Sequence, residues 1–147
     1  MQRKPGGYRN PTPKQRELSK ISKKDFQEWF QQFWNMSGAS TRKHPAPFPL
    51  ELASRLVRMF SFHGDTVFDP FVGTGTTMVA ALRADRNSIG LDIDAEYCRM
   101  AARRLKAEVS NLFNNNAQIV FQKSIVDQKE GIVALREEQA QYSTTVS

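Results

Sequence analysis

Cysteine is almost missing from this chain. Cys98 stands alone, which excludes an internal disulfide and any cysteine-rich metal cage. The two histidines, His44 and His63, lie far apart, so no zinc ligand set is in view and no metal is expected. Long apolar runs are also missing: nothing approaches the roughly 18 consecutive apolar residues of a membrane helix. The opening MQRKPGGYRN has no apolar core of signal-peptide type. These absences predict a soluble, cytoplasmic protein with no membrane partner. Its 147 residues suit one domain, and no internal repeat divides them.

What is present begins with charge. The first 25 residues carry Arg3, Lys4, Arg9, Lys14, Arg16, Lys20, Lys23 and Lys24 against only Glu17 and Asp25, which accounts for the whole net charge of +6. With Tyr8, Asn10, Gln15 and several Pro and Gly among them, residues 1–20 have the composition of a basic arm that follows a phosphate backbone. Arg3, Lys4, Arg9, Lys14 and Arg16 are therefore the candidate DNA contacts. The same composition also suits a solvated tail.

Gly-Gly, Asn-Pro and Thr-Pro pairs forbid a long helix before about Ser19. Ser22 is a helix N-cap, and Phe26, Trp29, Phe30, Phe33 and Trp34 follow at helical spacing, an aromatic stripe that predicts burial and, as the rival reading, base stacking. Gly38 is expected to end that helix, closing a unit of residues 21–43. The proline-rich Thr41–Pro49 stretch is extended loop. Leu52, Leu56, Met59 and Phe60 mark the apolar side of the next helix, and Gly64 its stop. Thr66–Asp69 is a strand, Thr76 to about Arg83 a helix, and Ser88–Asp92 a second strand. Asp94 caps a third helix with Tyr97, Met100, Ala101 and Leu105 inward. A third strand is expected over Ala117–Phe121, and after it, over residues 122–147, a charged, helical, loosely held tail.

Strand, glycine loop, helix, strand is a right-handed βαβ unit, the seed of a parallel sheet. The loop is the centre of interest because Gly73 and Gly75 let a ligand approach the backbone. Asp92 ends the second strand about 20 residues further on, where a carboxylate accepts hydrogen bonds from a ribose diol. A dinucleotide fingerprint needs a third glycine three residues after the second, and Met78 stands there. That disfavours a pyrophosphate and leaves a nucleoside such as S-adenosylmethionine, with its amino-acid end on peptide groups near Asp69 and Gly73. Asp69 capping a turn and Asp92 capping a helix is the purely structural alternative.

Three stretches, HPAPFPLELASRL from His44, VFDPFVGTGTT from Val67 and SIGLDIDAEYCRMAARRL from Ser88, together resemble amino-group DNA methyltransferases, which methylate adenine at N6 or cytosine at N4. GGYRNPTPKQRELSKIS from Gly6 resembles the segment these enzymes place between their catalytic and cofactor regions. The resemblance covers roughly Gly6 to Lys106. It implies that Asp69, Pro70, Phe71, Gly73, Gly75, Thr76 and Thr77 form the first cofactor motif and that Asp92 is the ribose-binding acid. Asp94 is then a helix cap, and Phe71 sits near adenine or the sulfonium. His44, Pro45, Ala46, Pro47 and Phe48 correspond to the motif that closes over the methionine end. The implied fold is α/β, a partial Rossmann-like methyltransferase half-domain over residues 44–121, with two or three parallel strands and flanking helices.

The family's catalytic tetrapeptide reads Asp, Ser or Asn, then Pro-Pro, then an aromatic residue. No two of the seven prolines in this sequence are adjacent, so the tetrapeptide is not in it. Its job is to accept hydrogen bonds from the target amine and stack on the flipped base. No catalytic residue is therefore assigned. The expected function is the cofactor-binding portion of a DNA methyltransferase, acting on duplex DNA and inactive by itself. A second chain carrying the tetrapeptide, or self-association, would cover the open edge of the Thr66–Asp69 strand. The rival from another class is a non-catalytic DNA-binding or regulatory protein that keeps the scaffold. A small-molecule methyltransferase leaves the basic arm unexplained, and charge alone does not exclude RNA.

Overall fold

The computed structural model describes residues 10–38, 48–111, 117–123 and 131–137. Its helices are α1 (Pro13–Leu18), α2 (Lys23–Trp29), α3 (Leu50–Phe60), α4 (Thr76–Arg83) and α5 (Ala95–Asn111), and its strands β1 (Thr66–Asp69), β2 (Asn87–Asp92), β3 (Ala117–Lys123) and β4 (Gly131–Glu137).

The βαβ unit forms as the sequence predicts. Strand β1 pairs parallel to β2, with Thr66 opposite Asn87 and Asp69 opposite Gly90. The sheet order is β1-β2-β4-β3, so among the described residues β1 is a terminal strand, with Phe68 exposed. Beyond it the tail differs from expectation. Residues 131–137 are a strand and not a helix, inserted antiparallel between β2 and β3. Strand β3 thus runs in the same direction as β1 and β2 but does not pair with β2. In Gly131–Glu137, GIVALRE, the short unbroken apolar run Ile132–Leu135 does not by itself tell strand from helix, and pairing on both sides decides its conformation.

Helix α4 lies at the centre of the packing. Its Met78 and Val79 join Val72, Cys98, Ala101 and Leu105 in one buried cluster, while Ala80 meets Ala53 and Val57 of α3 in another. Full burial of Met78 or Leu105 contributes about 1.5–3 kcal/mol each. Met78 needs room, and Gly90 of β2 supplies it: a Cβ on Gly90 would lie 2.8 Å from Met78 Sδ and 2.6 Å from Val72 Cγ2. A large helix residue and a bare strand backbone here invert the glycine-on-helix arrangement of dinucleotide sites.

The aromatic segment departs most from the sequence reading. Helix α2 starts at the Ser22 cap as expected but stops at Trp29, well before Gly38. Of the five aromatics only Trp29 is buried, whereas Phe26, Phe30 and Phe33 are exposed. The reason is Arg55 of α3, buried beneath Trp29 and Trp34 with its guanidinium carbon 5.8 and 5.5 Å from their ring centroids and bonded to Glu28 and Glu51. Arg58 stacks on Trp29 as well, at 5.0 Å. This cation cluster occupies the α3 face and takes in two of the five aromatics, leaving the phenylalanines outside. Likewise α3 buries Ala53 and Val57 against α4, while Leu56 and Phe60, expected inward, are exposed.

The described part of the basic arm begins at Asn10. Thr12 and Gln15 form a capping box that starts α1, a single short helix where the sequence predicts loop. Gln15 Nε2 donates to the His63 carbonyl at 3.1 Å, and the His63 N–H donates to Ser19 Oγ at 2.7 Å. The arm is thereby docked on the turn that leads into β1.

Candidate functional site

Asp69 and Asp92 sit at the carboxyl ends of two adjacent parallel strands, and the glycine loop rises between them. This is where open α/β sheets bind ligands, because loops diverge there and leave a crevice. The Asp69 carboxylate accepts from the Phe71 N–H at 3.0 Å, closing the turn out of β1. The Val72 N–H donates to the Leu91 carbonyl at 2.8 Å, and the Gly73 N–H donates to Asp92 Oδ2 at 2.9 Å. Asp92 Oδ1 accepts from the Asp94 N–H at 3.0 Å. Each Asp92 oxygen so carries one protein donor and keeps acceptor capacity. The turn-closing role foreseen for Asp69 as the structural alternative is real, whereas Asp92 divides its bonds between the loop and Asp94, and the helix cap is Asp94 itself. Asp94 is the cap of α5, accepting from the Glu96 N–H at 2.8 Å.

Gly75 is left-handed, with φ of 80°, and a Cβ there would lie 2.9 Å from Ala101 Cβ. Its glycine is required twice over, by conformation and by the close approach of α5. Sequence reasoning places Ala101 on the buried side of α5 but misses its neighbour one turn on. Arg104 Nη1 donates to the Thr74 carbonyl at 3.3 Å and to Thr76 Oγ1 at 3.0 Å. The spacing of Ala101 and Arg104, three apart on one helical face, is the signal that could have found it. Phe71, at 86% exposure, and Ile93, at 80%, flank the loop as uncovered apolar side chains.

Cys98 lies under the site with its thiol toward the Asp92 carbonyl. Burial pushes that thiol above its ordinary value of 9.0, with the Asp92 charge adding to the effect. On the outer face of α5, hydrogen bonds from Arg99 and Arg103 hold the Glu96 carboxyl below the usual range.

The remaining predicted residues divide. Phe48 and Thr77 line a second feature, an apolar groove of about 490 Å³ between α3 and the edge strand β1, with Leu56, Val57, Phe60 and Val67. Thr76 is buried at the α4 start and Pro70 is exposed in the loop. His44, Pro45, Ala46 and Pro47 lie outside the described residues, as do Arg3, Lys4 and Arg9. Lys14 is exposed, and Arg16 donates to Asn10 Oδ1 at 2.6 Å and to the Pro11 carbonyl at 3.3 Å. Among the described residues no group of His, Cys, Asp and Glu could hold a metal ion, and no helix is long and apolar enough to cross a membrane.

Comparison with known proteins gives the family of the chain. Type II methyltransferase M.MjaI of Methanocaldococcus jannaschii is 48% identical over 85 residues, 54% of this chain and 28% of the relative. M.MthZI of Methanothermobacter thermautotrophicus is 40% identical over 114 residues, 70% of this chain and 32% of the relative. Among solved structures, the putative DNA modification methylase TTHA0409 of Thermus thermophilus, complexed with S-adenosyl-L-methionine, superposes with a TM-score of 0.65 at 51% identity. That match covers 73% of this chain and 42% of the other, so the chain spans well under two thirds of the proteins it resembles. A family model described as DNA methylase matches residues 4–103, the greater part of the sequence, and the chain belongs to the N6/N4 DNA methylase family.

Proposed function

We propose that this chain is the methyl-donor half of a DNA amino-methyltransferase, binding S-adenosylmethionine at the carboxyl ends of β1 and β2. The observation that carries the reading is the Asp92 carboxylate, fixed by the Gly73 N–H yet still able to accept from a ribose diol. The residues fit the cofactor. Phe71 and Ile93 offer uncovered apolar surface for an adenine. The Thr74 and Thr76 N–H groups, without protein acceptors among the described residues, suit a carboxylate at the start of α4. When bound, the cofactor supplies an electrophilic methyl group on a sulfonium; the protein's own residues bind and orient it.

The acceptor is the exocyclic amine of adenine (N6) or cytosine (N4) in duplex DNA, and Lys14 with the rest of the basic arm holds the phosphate backbone. The Pro-Pro-aromatic element that frees the amine lone pair is not in the sequence. A second chain supplies it, or the chain self-associates, at the open edge of β1 and the groove of Phe48, Leu56 and Phe60. The second reading is a non-catalytic DNA-binding protein on the same scaffold.

The test is titration of the folded chain with S-adenosylmethionine by calorimetry, followed by transfer of labelled methyl groups to duplex DNA. Donor binding without transfer is expected for the chain alone, and transfer once a chain bearing the tetrapeptide is added. No donor binding by the folded protein would overturn the proposal, and binding without transfer in the reconstituted mixture would favour the non-catalytic reading.

A further inference from the structure

The outward phenylalanines have no role in the donor site. Phe26 is 53% exposed, Phe30 51% and Phe33 86%, although large apolar side chains at helical spacing normally find cover. Phe26 and Phe30 stack on each other, with centroids 4.3 Å apart and planes at 24°. Trp29 and Trp34 leave them no place inward, because both are committed to Arg55 and the Trp34 indole N–H donates to the Trp29 carbonyl at 2.8 Å. The result is an exposed pair of stacked rings.

Lysines stand beside this pair in sequence, with Asp25 and Glu28 among them, Glu28 drawn to Arg55 and Lys20 paired with Glu17. Lys23 opens α2 three residues before Phe26, and Phe30 caps the helix one turn further on. Lys14, Lys20 and Lys24 are exposed nearby in sequence, within the 25 residues that hold all of the net positive charge. An apolar protein segment would gain nothing from these ammonium groups. A polyanion that also presents flat π faces gains from both, and stacking between successive base pairs in a duplex hides those faces.

We propose that Phe26 and Phe30 stack on unpaired bases of a DNA strand while Lys23 and Lys24 hold its phosphates. The partner is a single-stranded segment, such as one opened next to a base withdrawn from its duplex. This rests on the reading of DNA as substrate, but it uses a surface separate from the donor loop.

The test compares the full chain with F26A/F30A, and with F26W/F30W as the ring-retaining control. Fluorescence anisotropy would be read on a labelled single strand of about 12 nucleotides, within the usual site size for such proteins, its fully abasic counterpart and a duplex of the same sequence. The wild type is expected to bind the normal strand about tenfold or more tightly than the abasic strand. F26A/F30A should lose that preference, and F26W/F30W should keep it. Duplex and abasic affinities, governed by the lysines, should change little. Equal binding of normal and abasic strands by the wild type, or a preference that survives in F26A/F30A, would overturn the proposal and return the ring pair to a protein-facing role. Calorimetric binding of S-adenosylmethionine to F26A/F30A, expected unchanged, confirms that the variant is folded. It also keeps failure of this proposal distinct from failure of the donor site.

Discussion

The backbone N–H of Gly73 donates to Asp92 Oδ2 at 2.9 Å, tying the glycine loop after β1 to the acid at the end of β2. One carboxylate thus shapes the loop, and in the proposed donor site its remaining lone pairs would meet the ribose. Asp92→Ala is predicted to weaken S-adenosylmethionine binding by about 1.5–3 kcal/mol, the loss expected for charge-assisted hydrogen bonds. It should also speed hydrogen exchange at the Gly73 amide. Calorimetry and amide exchange check the two effects separately, and unchanged exchange would mean that the loop holds its shape without Asp92.

Gly75→Ala meets two penalties, a left-handed backbone and a Cβ 2.9 Å from Ala101 Cβ. The predicted cost is about 1–3 kcal/mol for each strained feature. Adding Ala101→Gly should recover only part of the steric cost, because the Cα of residue 101 still lies 3.1 Å from the new Cβ and the φ of 80° remains. Urea denaturation of the two single variants and the double variant resolves the parts, and full recovery in the double variant would contradict the backbone argument.

Arg104 bonds to the Thr74 carbonyl and the Thr76 hydroxyl, and so ties the loop to α5. Arg104→Ala is predicted to reduce donor affinity by roughly tenfold, in line with the loss of one charged hydrogen bond. Arg104→Lys should restore part of that loss. Arg83→Ala is the control. It breaks an outward pair with Glu108, at 2.8–3.0 Å, and should leave donor affinity unchanged. Equal effects of the Arg83 and Arg104 substitutions would reduce Arg104 to a general stabiliser.

The raised Cys98 thiol makes a pH prediction. The folded state holds this proton more tightly than the unfolded chain, so the contribution is fully present below the ordinary value of 9.0 and is lost as pH rises through the folded value. Stability should therefore fall between about pH 8 and pH 10 more steeply in the wild type than in Cys98→Ala, which lacks the titrating thiol. Denaturant midpoints at the two pH values give the comparison, and parallel slopes would refute it.

Much of the site was legible because it is local. Glycines before a helix, an acid at each strand end and a capping aspartate are short-range requirements of backbone geometry, and Asp69, Gly73, Gly75, Asp92 and Asp94 stand together in the structure as their spacing implies. The parallel pairing of β1 and β2 follows from the same unit, since a strand, helix and strand of these lengths close in one hand. The capping serine and the periodicity after it likewise determined that a helix begins at Ser22.

Which face of that segment is buried depended on a residue far along the chain. Arg55 accepts Trp29 and Trp34 and leaves no room for the phenylalanines, a competition that spacing within the segment cannot reveal. Strand β4 exists because β2 and β3 flank it on both sides, so its backbone hydrogen bonds come from neighbours distant in sequence. Arg104 reaches the loop only once α5 packs on Gly75. Local geometry is written in neighbouring residues, whereas burial and partnership are settled when separate segments compete for the same surface.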